Sequence, residues 1–245
     1  MRFSEPLVRG TFLSRRQRFF ADVRLDGGPI VVAHCANPGS MLGVSDPGSA
    51  VYVSGQDAPG RKLAWSLEAI RVGRGWVGVH PGRANALVEE AIRRSRIPEL
   101  AGYASLRREV VIGEGSRADF LLEDPRRPPC WVEVKYVTLA HRRTGLFPDS
   151  VSVRAARHVR ELAARARAGD RAVLVFACPR SDVDAVGPAD AIDPAYGSAF
   201  REARAAGMEA LARRVRVRRR GLTVAEALPV MPGPYSVHPS DGPPC

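Results

Sequence analysis

Asp119, Glu133 and Lys135 place two carboxylates and one ammonium within seventeen residues, a set able to cut a phosphodiester with the help of a metal ion. The lysine is the unusual member. Of the 37 basic residues only Lys62 and Lys135 are lysines, in a chain that otherwise writes positive charge as arginine. A compact ammonium can point at one water or one phosphate oxygen, whereas guanidinium is a planar fork. Residues 130–137 are rich in aromatic and branched side chains and read as a strand, on which Glu133 and Lys135 share a face. Residues 116–122 read as a second strand, entered from the turn Gly113-Glu114-Gly115 and left through Asp124-Pro125. If the two strands pair, Asp119 lies beside Glu133, and their mutual repulsion calls for a hard cation, Mg²⁺ or Mn²⁺, between them. Such an ion would acidify an attacking water and offset charge on the phosphate, with Lys135 completing the clamp. The competing reading is a solvated strand face with a weak Glu–Lys pair.

Composition narrows the class. The 245 residues, 45% of them hydrophobic, suffice for one large or two small domains with true cores. No stretch reaches the roughly 18 apolar residues of a membrane span, and residues 1–6 lack the apolar core of a secretory signal, so a cytoplasmic protein with no membrane partner is expected. Cys35, Cys130, Cys178 and Cys245 show no C-x-x-C spacing, which supports neither a zinc site nor a disulfide framework. A net charge of +11 points to a polyanion, and to nucleic acid before lipid: DNA, single- or double-stranded, with RNA a further candidate. The clusters Arg15-Arg16-Gln17-Arg18, Arg93-Arg94-Ser95-Arg96 and Arg213 to Arg220 either touch phosphates or face solvent. The last is expected to alternate along an edge strand, where charge also blocks aggregation.

The elements that must position these groups fall into two sets. Residues 1–82 show short strand-like runs at 19–25, 30–34, 50–53, 63–70 and 76–79, with a hairpin turn at Asp26-Gly27-Gly28-Pro29. Five such strands predict a small OB-like barrel, with Phe12, Phe20, Trp65 and Trp76 as core fillers or stacking platforms. Residues 83–229 change to an α/β pattern: a helix from Asn85, a strand pair and the Glu133 strand, then a helix capped at Asp149-Ser150 and running to Ala168. A fully apolar strand at 172–177, a helix at 198–206 and a strand at 215–217 follow. Residues 230–245 are proline-rich and expected to be disordered.

Several blocks taken together, His34 to Met41, Ser116 to Phe120, Val132 to Lys135 with Thr138-Leu139, and Phe147-Pro148-Asp149 followed by Arg154 and His158, resemble the sugar fermentation stimulation protein A family over residues 1–230. The resemblance implies an N-terminal OB-like domain and a C-terminal mixed-sheet α/β domain of the PD-(D/E)xK nuclease superfamily. It further implies DNA binding without strong sequence preference and a regulatory link to sugar, especially maltose, utilisation. By that pattern Asp119 and Glu133 are metal ligands and Lys135 the catalytic cation, with Glu90 from a helix as third ligand and Glu109 behind it. Arg117, Arg154, Arg157, His158, Asn37 and Arg18 are the expected nucleic-acid contacts, although Asn37 and Gly39 also suit a tight turn. The family's Thr-Glu-Arg-Gly-Gln-Lys-His run here reads Ser152-Val153-Arg154-Ala155-Ala156-Arg157-His158, so a glutamate and a glutamine have become Val153 and Ala156. A non-catalytic DNA-binding regulator is therefore the alternative reading; a carbohydrate-binding barrel is a third, which the arginine excess does not favour.

Overall fold

The computed structural model describes residues 1–55, 62–113 and 115–234. Its first half contains β1 (Val8–Arg16), β2 (Phe20–Leu25), β3 (Ile30–His34), β4 (Ala50–Gly55), β5 (Trp65–Val72) and β6 (Gly75–Gly78). The order β3-β2-β1-β4-β5 closes on itself because β3 pairs in parallel with β5 through Ala33↔Trp65 and His34↔Ser66. This is the expected five-stranded barrel, but not with the expected strands. β1 completes it, while the run at 76–79 becomes β6, a hairpin extension of β5 outside the closure. Gly10 and three arginines dilute the strand signal of β1. The glycine is required, since a Cβ there would lie 2.5 Å from the Arg24 carbonyl oxygen of β2. Phe12 is buried with Val23, Val51, Leu67 and Ile70 in the barrel core, and Trp76 stacks on Tyr52 at 3.9 Å between ring centroids.

A 3₁₀ turn at Pro81–Arg83 leads into α1 (Ala84–Arg93), then β7 (Ser105–Gly113), β8 (Ser116–Asp124) and β9 (Arg127–Tyr136). The short β10 (Leu139–His141) and β11 (Thr144–Phe147) precede α2 (Val153–Arg167), β12 (Arg171–Cys178), β13 (Ala185–Pro188), α3 (Pro194–Ala205), β14 (Glu209–Arg218) and β15 (Gly221–Leu228). The main sheet runs β15-β14-β12-β9-β8-β7, with β9, β12 and β14 parallel and both flanks antiparallel. Leu87, Val88 and Ala91 of α1 pack on one face, and Val159 and Leu162 of α2 with Phe200 of α3 pack on the other. Burial on both faces explains the continuous apolar run of β12.

Other expectations are corrected. β14 is an interior strand, because β15 follows it as a hairpin; Arg213 is buried against Glu99, and Arg214 binds Glu226 and the carbonyls of Arg180 and Val183. The arginine run is thus partly structural rather than an aggregation guard on an edge. The cap of α2 is Ser152, whose side chain accepts from Ala155 N, and α3 starts at Pro194 behind the Asp193 cap. Val230 bridges to Val186 and Met231 N donates to Val186 O, so the expected disorder does not begin at 230; residues 235–245 lie outside the described residues. Phe3 and Leu7 donate backbone bonds to Arg220 and Arg219, which puts the first residues against the C-terminal sheet rather than in the barrel.

Candidate metal and nucleic-acid site

Strand β9 carries the site at the centre of the main sheet, held by parallel pairing to β12, with Glu133 opposite Leu174 and Lys135 opposite Phe176. On its other side β8 pairs with β9 as far as Phe120↔Val132. One antiparallel step further brings Asp119 opposite Glu133, and there the ladder stops. The strand also loses its alternation: Ala118 packs on the α2 side of the sheet, whereas Phe120, two residues on, packs on the α1 side. In this opening the Asp119 carboxylate takes the backbone N–H of Val134 at 2.7 Å through Oδ2 and the Asn85 amide at 2.6 Å through Oδ1. Asp119 is therefore fixed against the peptide that directly follows Glu133.

Glu133 is 4% exposed and both of its contacts converge on Oε1: Lys135 Nζ at 2.6 Å and His158 Nδ1 at 2.5 Å. Arg154 Nε donates to His158 Nε2 at 3.3 Å, which makes Nε2 the acceptor and assigns the proton on Nδ1 to Glu133. The electrostatics of the two acids diverge. Burial, followed by the charge of Glu133, pushes the Asp119 carboxyl up to about 6, against the opposing bonds from Val134 and Asn85. For Glu133 burial is the largest single influence and acts upward, yet the His158 bond and the Lys135 charge together hold it below the ordinary value. Buried Glu133 and half-buried Asp119, repelling one another across a strand gap, form a hard-oxygen donor set suited to a divalent cation. Lys135 Nζ also lies 5.9 Å from the centroid of the Phe147 ring.

Lys135, with Asn85 and Val134 that hold Asp119, lines a cleft of about 340 Å³ between the start of α1, the end of β9, the segment after β11 and the barrel loop at 37–39. Asp119, Glu133 and Lys135 are brought together as expected, but Glu90 is not. Its carboxylate binds the Met1 ammonium at 2.5 Å and Arg94 at 3.2 Å. Helix α1 instead offers Asn85 to Asp119, an amide where an acid was anticipated. Glu109 is exposed in β7, at a residue with φ 52. His158 is 5% exposed and holds Glu133, so it is no surface contact for nucleic acid. Asn37 is also buried, and its Oδ1 accepts the Gly39 N–H at 2.8 Å, a turn-making role. Arg117, Arg154, Arg157 and Arg18 are exposed. Asn85, Arg15 and Asp149 were missed: asparagine in a first helical turn, one arginine among many and an aspartate before a helix all read as ordinary local chemistry.

Two family models match this architecture, the sugar fermentation stimulation protein RE domain at residues 82–221 and the SfsA N-terminal OB domain at 13–79. The chain belongs to the sugar fermentation stimulation protein family. A sugar fermentation stimulation protein homolog of Geobacter sulfurreducens is 50% identical over 228 residues, covering 93% of this chain and 97% of its own. One from Alkalilimnicola ehrlichii is 51% identical over 235 residues, covering 94% and 99%. The structure of Pyrococcus furiosus SfsA in complex with Ca²⁺ superposes with a TM-score of 0.84 at 29% identity, covering 94% of this chain and 98% of that one. The family's two-domain plan is thus present in full, barrel and mixed-sheet domain alike.

Proposed function

We propose that this chain binds nucleic acid, DNA foremost, and hydrolyses its phosphodiester bonds with a divalent cation, Mg²⁺ or Mn²⁺, held by Asp119 and Glu133. The observation that carries this reading is the pair itself: two acids on adjoining strands, one lifted to about 6 by burial and by its neighbour's charge, beside a cleft that Lys135 lines. That Pyrococcus furiosus SfsA is seen in complex with Ca²⁺ supports a hard-cation site in this fold. When bound, such an ion supplies an acidified water and offsets negative charge on the phosphate. The chain's own residues do the rest. Asn85 and the Val134 N–H fix the Asp119 rotamer, and His158 fixes that of Glu133. Lys135 presents its ammonium to a phosphate oxygen, held in place by Glu133. Arg117 and Arg157 supply exposed cations for flanking phosphates.

A non-catalytic DNA-binding regulator of sugar use is the second reading. It is favoured by the α2 substitutions, since Val153 stands 81% exposed and Ala156 is buried in the apolar core, where the family run has glutamate and glutamine. Incubating labelled DNA and RNA with the protein in Mg²⁺, Mn²⁺ or EDTA, beside Asp119→Ala and Lys135→Ala, separates the two. Cation-dependent cleavage lost in both variants supports the enzyme. Binding without cleavage in any condition supports the regulator.

A further inference from the structure

The cleft is walled by the barrel as well as by the α/β domain, and the barrel wall is tied in place by several hydrogen bonds. Gly39 N donates to Asn37 Oδ1 in a side-chain-closed turn. Arg15 of β1 reaches under the same loop and donates to three of its carbonyls, Asn37 O at 2.7 Å, Gly39 O at 3.0 Å and Ser40 O at 3.2 Å. The loop is then tied across to the segment after β11: Ser40 Oγ donates to Asp149 O at 2.7 Å, and Met41 N to Asp149 Oδ2 at 3.4 Å. The approach is so close that a Cβ on Gly39 would run into the Asp149 carboxylate. Asp149 follows Phe147-Pro148, which lines the cleft beside Lys135. Barrel loop and 147–149 segment therefore meet as a bridge that forms one wall of the cleft.

We propose that this bridge restricts the site to unpaired nucleotides, so that the substrate class is single strands, strand ends and flaps rather than intact duplex. The inference rests on the nucleic-acid reading of the cleft. A groove that cuts duplex must let a paired helix, with a major groove about 12 Å wide, run past the metal site. Here the bridge walls the cleft, whose 340 Å³ lies near the lower bound of the roughly 300–1,000 Å³ pockets that hold one small molecule. One nucleotide with its phosphate suits that space. A duplex would have to unstack and unpair a nucleotide to present it, which makes it a poorer substrate by roughly a hundredfold.

The experiment compares one sequence as a single strand, as a blunt hairpin duplex and as the same hairpin with a single-stranded flap, all in Mn²⁺. Wild type should cut the single strand and the flap roughly a hundredfold faster in kcat/KM than the duplex stem. Arg15→Ala, which frees the loop, should shrink that ratio by about tenfold, and Ser40→Ala, which removes one tie and no buried charge, should shrink it less. A wild-type protein that cuts the blunt stem as fast as the single strand overturns the inference and leaves the hydrolytic reading standing. If nothing is cut, hydrolysis fails and affinity for the three probes in Ca²⁺ decides: tighter binding of single strand and flap upholds the wall's role, and equal or tighter duplex binding overturns it.

Discussion

Each half of the molecule buries acid, and the two halves treat it in opposite ways. In the barrel, Glu68 of β5 is 3% exposed and receives Ser54 Oγ at 2.7 Å and Arg83 Nη2 at 2.5 Å, so one acid meets one guanidinium and a hydroxyl. In the α/β domain Asp119 and Glu133 share a single nearby ammonium, Lys135, with Glu133 taking its direct bond. The first arrangement is electrically closed and joins the barrel to the turn that starts α1. The second carries surplus negative charge at the edge of a cleft. The counter-charge is built in around Glu68, whereas Asp119 and Glu133 leave part of it for something else to supply.

The contrast can be broken from either side. Lys135→Ala should lower the cleavage rate of the folded protein about 10²- to 10³-fold, roughly 3–4 kcal/mol of transition-state stabilisation, as read by single-turnover kinetics. Glu68→Ala should act on stability alone, removing about 3 kcal/mol by stranding Arg83 while cleavage by the folded fraction persists, as read by urea denaturation beside kinetics. A Glu68 variant as stable as wild type would erase the distinction.

Asp119→Asn sharpens the comparison through pH. The folded carboxyl titrates near 6 against 3.8 when unperturbed, so its ionisation opposes folding. That cost is absent below pH 4, grows as pH rises through 6 and is complete above it. Without divalent cations the Asn variant should therefore be more stable than wild type at pH 8, by about 1–2 kcal/mol, and the two should converge at pH 4 in thermal melts. The smallest effect belongs to the exposed Arg157 on α2: its change to alanine should weaken DNA binding modestly and reduce the slope of log K against log salt by about one.

How far these features were legible in the sequence follows from how local their causes are. Strand β9 and the shared face of Glu133 and Lys135 follow from period-two alternation, and β12 from its unbroken apolar run. β1 was hidden because Gly10 answers to the backbone of β2, a contact made only in the closed barrel. The β14 arginines suggested an edge because alternating charge shows which side chains repeat, not which strand comes next; β15 covers it. Within the site, the proximity of Asp119, Glu133 and Lys135 was readable, while Glu90 lies elsewhere because its partner is the Met1 ammonium, 89 positions away in the chain. His158 was placed on the nucleic-acid surface although the stripe Ala155, Val159, Leu162 puts its neighbours inward, and only tertiary packing shows it meeting Glu133. The Arg15 clamp depends on a loop 22 to 25 residues distant and carries no periodic signal.

Asp119 and Glu133 are proposed to hold one divalent cation between them. Calorimetric titration of the metal-free protein with Mn²⁺ at pH 5 and pH 7.5 tests it most directly, with Asp119→Asn as the comparison. One ion per chain, bound more tightly at pH 7.5 as Asp119 gives up its proton and lost in the variant, is the predicted result. Equal affinity and stoichiometry in wild type and Asp119→Asn would contradict it.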